Sequence, residues 1–334
     1  MNKFDEKYEI RLARYEEIPE IMNFIDTWWR KDHILARDRA FFEYEMVPEG
    51  QVNFLIAKDK ETGEIHGLHG FLYASKEEGR RDAWGCIWKV IPGSMGLLGL
   101  EIVRRLESDE RFHSFLTMGA NPDTVPILKK VRHFEDVGKM DHFYCLADKE
   151  EYRIAVKGHP VSFKENDYQV EIVPIHDEEE LKLFDFRSVK DAFPYKDAWY
   201  VSRRFLHHPI YAYQIYGLKE GDEVKALLIC REQEYNGATA LRIVDYIGEA
   251  SLFAGLSGFL KERLQRYEYI DFYCYNFDTD SVLAAGMTRV EDSDSNIIPN
   301  YFAPYVPANI DIWVGTPKGH AVFFKADGDQ DRPS

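Results

Sequence analysis

The chain has 334 residues, of which 45% are hydrophobic and 14% aromatic, enough for the cores of about two domains. Its net charge of −16 argues against a nucleic-acid backbone or an anionic membrane surface as a partner. The N-terminus has no apolar signal core, no apolar run approaches the ~20 residues of a membrane span, and the cysteines show no CxxC spacing. We therefore expect a cytoplasmic protein with reduced thiols, no metal site and a small-molecule partner.

The chain begins with patterns typical of a strand, a helix and a hairpin. Tyr8–Leu12 alternates as YEIRL, which is the period of a half-buried strand. Tyr15–Trp29 carries apolar residues at helical spacing and predicts a helix. The apolar runs 53–57 and 65–74 flank a Lys-Glu-Thr-Gly segment and predict two strands joined as a hairpin.

The next stretch predicts a strand, a glycine-bearing turn, a helix and a second strand. Ala83–Val90 is an apolar, aromatic run, and Gly93, Gly96 and Gly99 follow it and lead into a helical pattern. Free N–H groups at such a helix start attract phosphate, and glycine keeps side chains away from it. The alternative is simple chain punctuation, since both the GxGxxG fingerprint and the lysine and hydroxyl pair of a P-loop are missing.

A second copy of this pattern lies at residues 240–276. The two copies align with Ala83 on Ala240, and their last strands end at Asn121 and Asn276. The same order of strand, turn, helix and strand therefore occurs twice, as in proteins built from structural repeats.

The repeat begins at the start of each half. Residues 168–186 reproduce the strand and helix pattern of residues 8–26. Between the halves lies the polar stretch 148–167, which is typical of a domain boundary. We therefore predict two domains, at residues 1–150 and 165–334.

This order of elements, with a glycine turn after the fourth strand, resembles the GNAT superfamily of acyl-CoA-dependent N-acetyltransferases. The resemblance covers nearly the whole chain as a tandem pair. It implies an α/β (α+β) fold of two GNAT-like domains, each a mixed twisted sheet flanked by helices. In that family the pantetheine arm of CoA lies between the fourth and fifth strands, and the pyrophosphate lies on a turn written Q/R-x-x-G-x-G/A. The segment Gly93–Leu98 keeps only the central glycine, Gly96.

The resemblance implies a site for acetyl-CoA or a related acyl-CoA in the first half, because Glu249–Ala254 in the second half matches the pattern less well. The implied cofactor-binding residues are Trp88, Val90, Gly93, Ser94, Met95, Gly96, Leu97, Leu98 and Asn121. A backbone N–H of the fourth strand would polarise the thioester carbonyl. The tyrosine that serves the family as general acid is replaced by Leu128 in the first half and Leu283 in the second.

The ends of the halves resemble tandem GNAT proteins found among enzymes of surface polysaccharide biosynthesis. This resemblance rests on His33–Glu45, on Asn300–Tyr305 and on the tail Phe324–Ser334. It implies N-acylation of an amino sugar, including nucleotide-linked ones, with the second half shaping the acceptor site. The implied catalytic residues are His33 and Asp327, with a water molecule as an alternative base. The implied substrate-binding residues are Arg37, Asn300, Tyr305, Asp329, Asp331 and Arg332.

Each assignment has a plainer alternative. His33 and Arg37 also fit a solvated helix face, and the tail also fits a solvated chain end. Four aromatic residues fit a core as well as a surface that stacks on a sugar. They are Trp28, Trp29, Phe41 and Phe42.

The whole chain also has alternatives to the N-acyltransferase function. One is a degenerate tandem GNAT that acts as a binding or scaffold protein. Another is a FemX-like enzyme with an aminoacyl acceptor, against which the net charge of −16 argues because those enzymes use charged tRNA. The sequence leaves the oligomeric state open.

Overall fold

The computed structural model describes residues 2–333, and these residues form two compact units. The first unit comprises residues 2–118 together with 332–333, and the second comprises residues 119–331.

The first unit is a sheet with helices. Its helices and strands are α1 (Lys3–Lys7), β1 (Tyr8–Leu12), α2 (Ile18–Phe24), α3 (Ile34–Arg37), α4 (Arg39–Met46), β2 (Phe54–Asp59), β3 (Ile65–Tyr73), β4 (Asp82–Val90), α5 (Leu98–Glu107) and β5 (Ser114–Ala120), of which the last two residues belong to the second unit. The strands lie in the order β1-β2-β3-β4-β5, and all neighbours are antiparallel except the parallel pair β4 and β5. A 3₁₀ turn, Tyr15–Glu17, precedes α2, and a π-helical segment, Ile25–Trp29, follows it.

Side-chain caps fix the short helices of the first unit. His33 caps α3 by accepting the N–H of Leu35 at 3.2 Å, and Asp38 caps α4 by accepting the N–H of Phe41 at 2.9 Å. The apolar faces of these helices share one core with the strands β2, β3 and β4. That core includes Ile21, Ile25, Leu35, Phe41, Phe42, Met46, Phe54, Leu68, Cys86 and Ile87.

The second unit is built on a larger sheet. Its helices and strands are α6 (Val125–Lys130), β6 (Asp136–Lys139), β7 (Asp141–Leu146), β8 (Glu171–Ile175), α7 (Glu178–Leu181), α8 (Ala198–Val201), β9 (Tyr213–Glu220), β10 (Glu223–Tyr235), β11 (Ala238–Gly248), α9 (Ser257–Arg263), β12 (Tyr269–Tyr275), α10 (Thr279–Ala284), β13 (Thr288–Arg289), β14 (Trp313–Thr316) and β15 (Phe323–Phe324). Seven strands lie in the order β13-β7-β12-β11-β10-β9-β8, and β15 pairs with β12. The strands β6 and β14 pair antiparallel with each other.

The strand β7 lies in the sheet of the second unit, although it comes from the first half of the sequence. It pairs antiparallel with β12, from Tyr269↔Leu146 to Cys274↔Asp141. On one face of this sheet, Phe143, Phe272 and other apolar residues form the core under α9 and α10. The predicted domains, which rest on the internal repeat, stay a prediction.

The predicted fold class is confirmed, because both units contain a sheet of mixed strands flanked by helices. The strand Tyr8–Leu12 and the hairpin of β2 and β3 form as predicted. The predicted helix Tyr15–Trp29 is divided into a 3₁₀ turn, α2 and a π-helical segment. The stretch His33–Glu45 forms two helices, α3 and α4, because Asp38 between them is extended and caps the second.

Three further properties of the described residues bear on function. No helix within residues 2–333 is long and apolar enough to cross a membrane. All four cysteines are buried free thiols. Within the same range, no group of three or more His, Cys, Asp or Glu side chains is placed to hold a metal ion.

Candidate functional site

The strands β4 and β5 separate halfway along their length. They pair from Asp82↔Ser114 to Gly85↔Thr117, and no pairs follow, although β4 continues to Val90. A bulge at Ile87, with φ of 37°, interrupts the ladder with β3 just beyond this point. A bulge bends its strand and increases its twist, which turns the end of β4 away from β5. The backbone edge of β4 from residue 86 onward therefore has no partner in β5.

The turn between β4 and α5 leaves room for a ligand. A Cβ atom added to Gly93 or Gly96 would meet no atom within 4 Å. Within residues 2–333, the N–H groups of Gly96 and Leu97 donate no hydrogen bond. The partial positive charge of the ten-residue helix α5 adds to these donors. The turn can thus accept a phosphate group on its backbone.

Hydrogen bonds to neighbouring elements hold this turn in place. The N–H of Met95 donates to the hydroxyl of Tyr8 on β1 at 3.0 Å, and Ser94 Oγ donates to the carbonyl of Ile91 at 2.9 Å. Leu97, with φ of 69°, provides the left-handed residue from which α5 starts. Its side chain is 67% exposed, so the turn is accessible from solvent.

Aromatic side chains form the wall between β4 and α5. Trp88 Nε1 donates to the carbonyl of Gly99 at 3.2 Å, which ties the end of β4 to the first turn of α5. His69 stacks on Trp88, with ring centroids 5.8 Å apart. It also covers Gly85, where an added Cβ would lie 2.7 Å from its Nε2. His69 therefore lies at the point where β4 and β5 part.

The predicted cofactor-binding residues from Trp88 to Leu98 thus come together at the end of β4. Asn121 lies in the second unit, where its Oδ1 accepts the N–H of Asp123 at 2.9 Å and caps a 3₁₀ turn. No contact of these residues distinguishes a ligand-binding role from a structural one, so the assignments stay predictions.

The equivalent gap in the second unit is filled by the chain itself. The parallel pairing of β11 and β12 ends at Ile243↔Phe272. Beyond it, β15 pairs with β12 at Cys274↔Phe324, and the N–H of Ala326 donates to the carbonyl of Val244 on β11 at 2.8 Å. Segment 323–326 thus hydrogen-bonds to both strands and lies in the gap between them.

The turn after β11 is also occupied. The N–H of Gly258 donates to the side-chain Oε1 of Gln169 at 3.2 Å, so this side chain takes a donor at the start of α9. A Cβ atom added to Gly255 would lie 2.8 Å from the backbone nitrogen of Val170. Gly255 and Gly258 therefore lack the open space found at Gly93 and Gly96, and the N–H of Gly258 is already used.

A polar cluster beside α3 and α4 completes the first unit. Arg332 Nε donates to Glu45 Oε2 at 2.6 Å, and both side chains are almost fully buried. The other carboxylate oxygen, Oε1 of Glu45, is buried and has no hydrogen-bond partner among residues 2–333. Glu45 therefore has one buried side-chain oxygen that is still able to accept a hydrogen bond.

His33 belongs to the same cluster. Burial, together with the charges of Arg332, Arg30 and Arg37, lowers the pKa of His33 to about 3, so the ring is neutral near pH 7. Because Nδ1 accepts the N–H of Leu35, the proton of the neutral ring is on Nε2. At neutral pH His33 thus offers a donor from Nε2, and its predicted role as a base stays a prediction.

The C-terminal tail is anchored within the second unit. Lys196 Nζ lies 2.6 Å from Asp245 Oδ1 and 2.6 Å from Asp327 Oδ1, and all three side chains are buried. Burial and the nearby charge of Asp245 raise the pKa of Asp327, although the charge of Lys196 acts in the opposite direction. These contacts are those of an anchor, and the predicted catalytic role of Asp327 stays a prediction.

The other polar residues of the tail are also bound to protein groups. Asp331 accepts from Arg231 Nη2 at 2.8 Å and from the hydroxyl of Tyr213 at 2.9 Å, and it is buried. Asp329 is half-buried and accepts from the side chain of Gln330 at 3.1 Å. The tail is thus not a solvated chain end, although its predicted role toward a substrate is untested.

The remaining predicted substrate-binding residues lie in different surroundings. Arg37 is exposed and donates to the carbonyl of Asp32 in the first unit. In the second unit, Asn300 is buried and accepts from Arg242, while the hydroxyl of Tyr305 donates to the carbonyl of Ile154. The structure therefore does not bring these three residues into one described cluster.

The structure distinguishes buried from exposed side chains among the four aromatic residues for which the sequence allowed both a core position and a sugar-stacking role. Phe41 and Phe42 are buried in the core of the first unit. Trp28 and Trp29 are 42% and 46% exposed on the π-helical segment, which packs against β4. The core interpretation is therefore correct for the phenylalanines and wrong for the tryptophans.

Sequence reasoning missed Glu45, Gln169 and Lys196. Glu45 is one of two glutamates in α4, and only its position on the buried face distinguishes it from Glu43. Gln169 and Lys196 act through partners far along the chain, so no local pattern identifies them.

Comparison with solved structures shows the fold that these units adopt. The chain is similar to a GCN5-related N-acetyltransferase of Anabaena variabilis ATCC 29413, with a TM-score of 0.58, 12% identity and coverage of 92% of this chain and 72% of the other. A GCN5-related N-acetyltransferase of Kribbella flavida gives a TM-score of 0.54 at 12% identity, covering 93% and 71%. A conserved protein of unknown function from Enterococcus faecalis V583 gives a TM-score of 0.56 at 10% identity, with coverage of 93% of this chain and 72% of the other. No family model matches the sequence, and no curated protein matches it.

Proposed function

We propose that this protein is an N-acyltransferase that moves an acyl group from acetyl-CoA or a related acyl-CoA to an amine. The observation that carries the proposal is the opening between β4 and β5, next to a glycine turn with two unused N–H donors. The fold shared with GCN5-related N-acetyltransferases supports the same assignment by analogy.

The residues of the first unit fit an acyl-CoA. The open space at Gly93 and Gly96 and the N–H groups of Gly96 and Leu97 suit a pyrophosphate at the start of α5. The edge of β4 beyond Gly85 offers backbone groups to the amides of an extended arm, as a neighbouring strand would. We place the cofactor in the first unit alone, since the tail and Gln169 occupy the equivalent positions in the second.

The acyl-CoA supplies the activated thioester, and the chain's own residues do the rest. A backbone N–H on the free edge of β4 donates to the thioester carbonyl and stabilises its developing negative charge. The attacking amine must be neutral, so a base has to take its proton. We propose Glu45 for this role, because its Oε1 is buried with no hydrogen-bond partner among residues 2–333, and Arg332 holds the other oxygen. His33 and Asp327 are the alternatives inferred from the sequence.

The finer part of the proposal concerns the acceptor. We propose an amino sugar, including a nucleotide-linked one, used in surface glycan synthesis in the cytoplasm. The exposed pair Trp28 and Trp29 supports a ring-bearing acceptor, because indole faces stack well on sugar rings and lie here on the segment that packs against β4. The tandem GNAT arrangement and the acceptor role of the second domain belong to the same proposal.

Binding of acetyl-CoA to the full chain tests the proposal. Calorimetry should give one saturable site per chain, and the melting temperature should rise with ligand concentration by mass action. Thiol release in a screen of amino sugars and nucleotide-linked amino sugars should then identify the acceptor. Binding without thiol release for any amine would favour a scaffold or binding protein, and the absence of binding would exclude the N-acyltransferase function.

A further inference from the structure

A cleft of about 970 Å³ lies in the second unit. Three segments line most of it: residues 137–142, which join β6 to β7, residues 289–294, which start at the last residue of β13, and residues 307–311 before β14. The proposed acyl transfer uses none of these residues.

His142 lines this cleft and is almost fully buried, with 6% of its surface exposed. Its ring stacks on Tyr273, with centroids 3.8 Å apart and planes 11° apart. Its Nε2 lies 3.3 Å from Asp271 Oδ2, and Arg242 Nε donates to the other oxygen of Asp271 at 2.9 Å. Stacking on one side and the carboxylate at its edge fix the orientation of the imidazole ring.

The protonation of this group follows from its neighbours. Although burial opposes ionisation, the charge of Arg242 and the hydrogen bond from His142 lower the pKa of Asp271, which is therefore a carboxylate. Burial lowers the pKa of His142 despite Asp271, so the ring is neutral. A carboxylate only accepts hydrogen bonds, so the proton of the ring is on Nε2. Nδ1, on the other side of the ring, is then an acceptor, and it has no partner within residues 2–333.

The charges around the cleft favour a cation. Its lining holds more carboxylates than cationic groups. The carboxylates are Asp141, Glu291, Asp292, Asp294 and Asp311, and the cationic groups are Lys129, Lys139 and Arg289. Lys139 Nζ lies 3.3 Å from Asp292 and 3.3 Å from Asp311, so a single ammonium group already bridges two of the carboxylates. The lining thus has a net negative charge as well as a buried hydrogen-bond acceptor.

We propose that this cleft binds a small organic amine, as a cation, which donates an N–H or O–H hydrogen bond to Nδ1 of His142. The ammonium group meets the carboxylates of the lining, and the donor pairs with Nδ1 of His142, which has no hydrogen-bond partner within residues 2–333. An anionic ligand is disfavoured by the lining carboxylates, and a ligand without a donor leaves Nδ1 unpaired.

Spermidine binding to the full chain tests the inference, with triethylene glycol as a neutral chain of the same length. Nitrogen-15 spectra of the histidine rings should show His142 with its proton on Nε2, and spermidine should shift its Nδ1 signal in a saturable manner. His142→Phe keeps the stacking on Tyr273 and removes the acceptor, so spermidine affinity should fall about tenfold. The double variant Asp292→Asn/Asp311→Asn should weaken binding severalfold with little effect on folding, because Asp292 is 95% exposed and Asp311 is 61% exposed.

Three results would overturn the inference: no saturable shift at His142, equal binding of triethylene glycol, or unchanged affinity in both variants. If His142→Phe does not fold, the spermidine affinity of the double variant Asp292→Asn/Asp311→Asn alone decides whether the inference holds. The probe needs no acyl-CoA, so this outcome is independent of the proposed activity. A Gly96→Asp variant, altered only at the turn before α5, should bind spermidine as the wild type does.

Discussion

We expect Gly96→Asp to abolish most acetyl-CoA binding while the fold persists. Gly96 has no positive φ, and an added Cβ meets no atom within 4 Å, so an aspartate fits without strain or clash. The comparable change at Gly93 is less informative, because its φ of 82° disfavours any side chain.

The expected loss of acetyl-CoA affinity in Gly96→Asp follows from the electrostatic repulsion between the aspartate and a pyrophosphate on this turn. An aspartate here would lie roughly 4 Å from a bound pyrophosphate, where two unit charges at an effective dielectric constant of ~20 interact by about 4 kcal/mol. Since the turn is open to solvent, screening reduces this to about 2–3 kcal/mol, which corresponds to a loss of affinity of roughly 30- to 150-fold. The neutral isostere Gly96→Asn adds the same volume without the charge and should lose far less.

Calorimetry with acetyl-CoA on the wild type, Gly96→Asp and Gly96→Asn is the assay. The difference in acetyl-CoA affinity between the two variants should decrease as the salt concentration is raised, because salt screens exposed charges. Melting temperatures of the free proteins should agree within about 2 °C. Equal affinities of the aspartate and asparagine variants, or unchanged affinity in both, would refute the placement of the pyrophosphate on this turn.

Three other predictions address the base, the effect of pH and the buried lysine. Glu45→Gln should lower kcat for the acceptor found by screening by at least ~100-fold and leave the affinity for acetyl-CoA unchanged. As a control, Glu43→Gln on the same helix should have no effect. If the activity of Glu45→Gln were within threefold of the wild type, Glu45 would be excluded as the base. Burial lowers the pKa of His208 to about 3, so the unfolded chain binds its proton first as the pH falls, and the free energy of unfolding should decrease between pH 6.5 and 3. His208→Asn, which keeps an acceptor for the N–H groups of Ile210 and Tyr211, should flatten this decrease in urea titrations, and an unchanged slope would contradict the assignment. Lys196→Met leaves Asp245 and Asp327 without their cation and should lower the free energy of unfolding in urea by about 3–5 kcal/mol. Adding Asp245→Asn and Asp327→Asn to this variant should restore part of the lost stability. If Lys196→Met alone were as stable as the wild type, the ion pairs would contribute nothing to stability.

The parts of the fold that local patterns specify were predictable from the sequence. The hairpin of β2 and β3 follows from two apolar runs around a turn. The strand β4, its glycine turn and α5 follow from a change of apolar period at Gly93. These signals arise between residues close along the chain, where turn chemistry and side-chain periodicity act directly.

The parts that depend on distant partners were not predictable in this way. The strand β15 is two residues long, and only its pairing with β12 defines it. The assignment of β7 to the sheet of the second unit depends on a partner more than a hundred residues later. Within the candidate site, Glu43 and Glu45 look alike in the sequence, yet only Glu45 is buried against Arg332.

The late position of β15 has a consequence for synthesis of the chain. During translation, β11 and β12 leave the ribosome well before segment 323–326, so their gap stays open until the C-terminal residues emerge. Phe272 and Phe277, which pack against Phe324 in the finished protein, lack this partner during that interval. A chain that terminates before Phe323 would keep an unpaired strand edge and an uncovered aromatic cluster, both of which promote aggregation. We therefore expect protease resistance of the second unit only in chains that extend through Asp331, as limited proteolysis of purified chains truncated at successive positions between Phe323 and Asp331 would show.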